Sequence, residues 1–147
     1  MKKITILLLI LIALLQAAEP KRILLNLTET PENYMALTFR FYEEVDTAYV
    51  QYLENADDVK LHKRGDTLTV IPQIVFTDTT KEVAQYACST IMQDLNAHTN
   101  YAYRVGDGTN WSQWYTFTTA KKGKHDFSMI YLGDPQWGYK TYLPRLY

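Results

Sequence analysis

The sequence predicts an all-β protein, a β-sandwich of about seven strands, and three observations point there. The 147 residues are 14% aromatic, with 12 tyrosines and 3 tryptophans, a composition that suits strands and is rich for helices. Apolar and polar residues alternate at period two in several separate runs. The clearest pair lies in Leu95–Ala120, where two such runs flank a turn-rich insert. No repeat, low-complexity stretch or long helical pattern competes with this reading.

The elements follow in chain order. Arg22–Leu27 is an apolar segment suited to a first edge strand, ended by Thr28–Asn33 with its Pro31. Met35, Leu37, Phe39 and Phe41 alternate with Ala36, Thr38, Arg40 and Tyr42, which gives the clearest inward face in the chain. Ala48, Val50 and Tyr52 make the next inward row, and Asn55–Lys63 is polar and turn-like. Thr67–Val75 is read as a single β-branched run in which Pro72, lacking an N–H, demands an edge or bulged position. Cys88, Thr90 and Met92 form the last alternating row before Leu95.

In the closing pair, Tyr101, Tyr103 and Val105 share one face while Ala102 and Arg104 take the other. Tyr115, Phe117 and Thr119 then alternate with Trp114, Thr116 and Thr118. Between them, Gly106-Asp107-Gly108 with Thr109-Asn110 is expected to supply the positive-φ residues of a hairpin reversal. The spacing Leu95-x-x-x-Thr99-x-Tyr101 resembles the tyrosine corner of immunoglobulin-like sandwiches. It predicts a buried ring whose hydroxyl bonds to backbone near Leu95–Ala97.

Thr99-Asn100-Tyr101-Ala102-Tyr103-Arg104-Val105-Gly106-Asp107, followed by Trp111-Ser112-Gln113-Trp114 and Phe117-Thr118-Thr119, looks like the last two strands of a known domain. That domain is the fibronectin-type-III-like one that opens purple acid phosphatases. Val50-Gln51-Tyr52 is similar to the family's third strand, and Phe39 stands where the family usually shows tryptophan. The resemblance implies an immunoglobulin/fibronectin-type-III-like sandwich over residues 19–120.

Both flanks are compatible with it. Lys2 and Lys3, the twelve-residue run Ile4–Leu15 and the small Ala17-Ala18 exit describe a secretory signal peptide over residues 1–18. The run is short of the roughly 20 residues of a bilayer span, so no stable membrane span is expected and the mature chain is placed outside the cytoplasm. Residues 121–126, with Lys121-Lys122-Gly123-Lys124, read as a linker. Residues 127–147 change character. Phe127–Leu132 is an apolar run ending in Gly133-Asp134, which puts a carboxylate at the C-terminal end of an expected buried strand.

This run resembles the first strand and first metal motif of calcineurin-like metallophosphoesterases. The resemblance makes Asp134 a metal ligand and Gln136, behind Pro135, a much weaker second candidate. It also implies a dinuclear centre in the full-length parent (iron with iron, zinc or manganese) acting on a phosphate ester. Two metals about 3.5–4 Å apart need a full cage of ligands. The family's Gly-Asp-x-x-Tyr, Gly-Asn-His-Glu and Gly-His-x-His motifs are absent from the sequence, and His62, His98 and His125 lack ligand spacing. The segment 127–147 is therefore read as a stub of an α/β catalytic domain, with no complete catalytic set and no tightly bound cofactor in this chain.

Other chemistries are poorly served. The net charge of −1 has no basic run behind it, so nucleic acid is not an implied partner. Cys88 is the one cysteine, which excludes an internal disulfide and suits a small buried hydrophobe. No nucleophile elbow, phosphate-cradling Gly-rich loop or Cys-x-x-Cys occurs. Asn26-Leu27-Thr28 and Asn110-Trp111-Ser112 are glycosylation sequons. Two functional expectations result. One is the N-terminal part of a secreted purple-acid-phosphatase-like metallophosphoesterase, inactive by itself. The other is a secreted sandwich binding module with Trp111, Trp114 and Tyr115 stacking on sugar.

Overall fold

The computed structural model describes residues 18–54, 65–78 and 83–131. Within them lie eight strands: β1 Lys21–Leu27, β2 Met35–Phe41, β3 Ala48–Glu54, β4 Asp66–Val70, β5 Gln73–Asp78, β6 Val83–Met92, β7 Asn100–Gly106 and β8 Tyr115–Thr118. They pair antiparallel into two four-stranded sheets, ordered β1-β2-β6-β5 and β4-β3-β7-β8. No helix occurs among the described residues.

The alternation in β2 decides which sheet face turns inward. Met35, Leu37, Phe39 and Phe41 are all buried while the intervening residues are half-buried. Across the ladder, Phe39 pairs with Cys88 and Met35 with Met92. The second sheet meets this face with Ala48, Val50, Tyr52 and Val70, followed by Tyr101, Tyr103 and Val105, and the two rows form one core. Aromatic rings interlock within it. Phe39 meets Phe41 edge-on at 5.8 Å, and Tyr101 stacks on Phe117 at 5.6 Å. Cys88 is part of this core, and burial pushes its thiol up to about 12. A thiol held protonated in this way is inert packing material.

One expectation needs correction. The run Thr67–Val75 is two strands in different sheets, not one strand, which brings the total to eight among the described residues. The break falls at Ile71-Pro72. Proline cannot donate to a ladder, so the chain leaves β4 there and crosses to become β5 on the far edge of the other sheet. The edge-and-bulge half of the expectation survives. Both strands are edges, and the β5–β6 register slips between Ile74 and Phe76. A second slip, between Lys21 and Leu24, accompanies Arg22 at φ 51° in β1.

A second correction concerns Phe127–Leu132. Phe127–Tyr131 form no strand and lie exposed, and Leu132 falls outside the described residues. No described strand lies alongside to supply a ladder, so an apolar pattern alone leaves the backbone unpaired. Among the described residues the last backbone ties to the sandwich are at Ala120, whose N–H donates to the Pro31 carbonyl (3.1 Å) and whose carbonyl accepts from His98 (3.0 Å). Residues 121–131 beyond are exposed.

Candidate functional site

The sequence-nominated metal residues come first. Asp134 and Gln136 lie outside the described residues, as do His62, the segment Asn55–Lys63 and residues 1–17 of the expected targeting segment. His98 sits exposed in a turn at φ 53°, and His125 is exposed with Nδ1 2.9 Å from the Gly123 carbonyl. Among the described residues no group of three or more His, Cys, Asp or Glu is placed to hold a metal ion. Nor is any helix among the described residues long and apolar enough to cross a membrane.

The sandwich does build two polar constellations, one at each end of β7. At the first, the Asn96 backbone N–H donates to the Tyr101 hydroxyl (2.9 Å), and that hydroxyl donates to Glu54 Oε1 (3.3 Å). This is the tyrosine corner that the Leu95–Tyr101 spacing predicts. Thr119 completes it: its hydroxyl donates to the Asn96 carbonyl (2.6 Å) and accepts the Thr99 N–H (2.9 Å). A cleft of about 390 Å³ opens beside it, with Tyr52, Glu54, Asp66 and Asp94 in its wall. Burial first, and then the neighbouring carboxylates, raise the Tyr52 and Tyr101 phenols above the ordinary tyrosine value.

At the other end, the hairpin insert closes differently from the positive-φ expectation. Of its residues Gly108 alone has positive φ, at 96°. Gly106 is required for closeness instead, since a Cβ there would stand 2.1 Å from the Asn110 carbonyl oxygen. Asp107 ties the loop by accepting the N–H groups of Thr109 (2.8 Å) and Asn110 (2.6 Å) on Oδ1. Partial burial opposes ionisation of this carboxyl, but those hydrogen bonds outweigh it and hold it below its usual range. Asn110 Nδ2 also donates to Asp107 Oδ2 (3.0 Å), so the second sequon's amide is engaged while Asn26 of the first lies exposed.

The loop then folds back over the outer face of the second sheet. Ser112 N–H donates to the Val105 carbonyl (2.8 Å) and its hydroxyl accepts the Val105 N–H (3.1 Å). Those bonds place both Trp111 and Trp114 against Arg104, whose guanidinium carbon is 4.5 Å and 4.7 Å from the two ring centroids. Arg104 Nε and Nη2 both donate to Gln51 Oε1 across the β3–β7 pair (2.9 and 2.7 Å). Each indole that the sugar reading requires thus already has a guanidinium against it. Sequence reasoning put Arg104 on the outward face without finding this clamp. The signal was there: Trp-x-x-Trp follows an outward arginine across a short reversal.

The outward register of this sheet is otherwise uncharged. It presents Tyr49, Gln51 and Leu53 from β3, Thr67 and Thr69 from β4, Ala102 and Arg104 from β7, and Thr116 and Thr118 from β8. Arg104 is the one ionic side chain in it, and no salt bridge reaches it among the described residues.

A family profile described as "Purple acid Phosphatase, N-terminal domain" matches residues 20–119. No curated protein sequence matches the chain. A solved structure described as a computer-based redesign of a β-sandwich protein is similar at 16% identity and a TM-score of 0.46, covering 71% of this chain and 97% of that one.

Proposed function

The chain belongs to the purple acid phosphatase family through its N-terminal domain, and from that membership we propose that it is the N-terminal portion of a secreted metallophosphoesterase that hydrolyses phosphoric monoesters. The observation that carries this reading is the match over residues 20–119. The sandwich works as a support. It is followed after Ala120 by an exposed stretch leading to Gly133-Asp134, where the catalytic domain would begin. Within that domain Asp134 would be a metal ligand and Gln136 a weak neighbour. Hydrolysis at a metal pair would need the further motifs that this sequence lacks. The chain alone is accordingly proposed to have no phosphatase activity.

Export fits the same reading. Ala18 is buried in the sandwich core, so removal of the targeting segment after Ala17 keeps a packed residue that removal after Ala18 discards. Mass spectrometry of the exported chain should show a start at Ala18, with Glu19 the next expected residue; an intact Met1 would refute export with cleavage.

Two measurements test the phosphatase reading. The gene downstream of codon 147 should encode the remaining phosphatase motifs in some frame; a downstream region without them would overturn the parent assignment. The purified chain, given an aryl phosphate with iron, zinc or manganese, should show no turnover. Turnover that survives purification and vanishes in Asp134→Asn would overturn the inactivity.

A further inference from the structure

The outer face of the second sheet combines features that packing does not require. It carries exposed threonine hydroxyls on both of its edge strands and holds two half-buried indoles over its centre. A single guanidinium lies against both indoles with no carboxylate partner among the described residues. Two of its nitrogens share one oxygen of Gln51, and Nη1 makes no hydrogen bond among the described residues. Guanidinium nitrogens present a flat fork matched to a carboxylate, and stacking on aromatic rings fixes the plane of that fork. The unbalanced positive charge therefore lies preoriented on a neutral, hydroxyl-rich surface.

We propose that this face binds an acidic polysaccharide, with a uronate carboxylate on Arg104 Nη1 and a pyranose ring against the outer edge of Trp111 or Trp114. Charge complementarity selects the acid. Neither of the two described clefts is lined by Arg104, and a site on a sheet face suits an extended polymer rather than an enclosed small molecule. The threonines flanking the clamp offer donors and acceptors to sugar hydroxyls. The proposal does not depend on the phosphatase reading.

Affinity electrophoresis of the whole chain in native gels containing polygalacturonate, dextran or polyglutamate tests it. Polygalacturonate should retard the chain at least several-fold more than either of the others. Arg104→Gln should abolish the retardation, and Arg104→Lys should lose most of it because an ammonium cannot reproduce the fork. A Lys121→Gln, Lys122→Gln, Lys124→Gln variant should keep it, which separates the face from the basic stretch after Ala120. As a measurement free of changes at the clamp, indole fluorescence in a Trp137→Phe background should respond saturably to polygalacturonate and stay flat with dextran. Equal retardation by polyglutamate or by dextran, or retention unchanged in Arg104→Gln, would overturn the proposal. A flat fluorescence titration would do the same.

Discussion

Tyr101, Tyr103 and Val105 alternate along β7, and Phe127, Met129 and Tyr131 alternate in the same manner further on. The first three are no more than 5% exposed, the second three at least 79%. Letter by letter the two stretches advertise similar strands. The difference is what lies beside them. β7 has β3 on one side and β8 on the other, and the inward face of the other sheet opposite it. Phe127–Tyr131 has none of these among the described residues. Period-two apolarity is a demand for a partner ladder and an opposing layer, and it produces a strand only where both are met.

The largest expected effect that would break this contrast is a paired truncation. Phe41→Ala removes a fully buried ring and should cost about 3–5 kcal/mol, whereas Met129→Ala should stay within about 0.5 kcal/mol. Urea denaturation of both variants checks it, and comparable losses would mean that the exposed run is packed in solution.

The next effect sharpens the contrast within β7. Tyr101→Phe should cost on the order of 1 kcal/mol, through the lost acceptor for Asn96 and the lost donor to Glu54. The folded-state phenol is raised, first by burial, so the folded state holds its proton longer than the unfolded one. Stability from this group is full below the unfolded tyrosine value of 10.0 and is lost as pH rises through the higher folded value. Stability measured from pH 9 upward should therefore fall less steeply in Tyr101→Phe. Identical slopes would remove the corner's contribution to alkaline unfolding.

These two tests also mark how much was legible beforehand. The β2 and β3 inward rows and the Tyr101 bond were visible because each rests on local spacing: period two in the first case, Leu-x-x-x-Thr-x-Tyr in the second. The split at Ile71-Pro72 was half visible. Proline announced that a central position was impossible, but which sheet each half would join depends on partners distant in sequence. Gly106 was given the wrong reason, since a close approach to Asn110 cannot be told from a positive φ by composition. The Arg104 clamp required knowing that the reversal folds back over the sheet. Asp134 and Gln136 were nominated by resemblance, and the described structure does not reach them.

The smallest expected effect is the removal of everything after Ala120. The bonds to Pro31 and from His98 end the sandwich there, so truncation should leave the urea midpoint within error and improve solubility by removing exposed apolar side chains. A clear drop in the midpoint would show that Lys121–Tyr131 contributes packing after all.

The pairing order also sets a timetable. The central pair of each sheet joins segments far apart in the chain: β2 meets β6 with Met35 opposite Met92, and β3 meets β7 with Glu54 opposite Tyr101. Among the described residues, a growing polypeptide that has reached Asp78 contains two sequence-local pairs, β1–β2 and β3–β4. Isolated two-stranded ribbons are marginal in water. Neither sheet can be seeded until β6 and β7 have been made, and long loop closures then slow the search to the millisecond-to-second range of all-β sandwiches. Synthesis of the first half thus runs ahead of any durable structure. The domain becomes a folded object late and all at once, when its last third arrives.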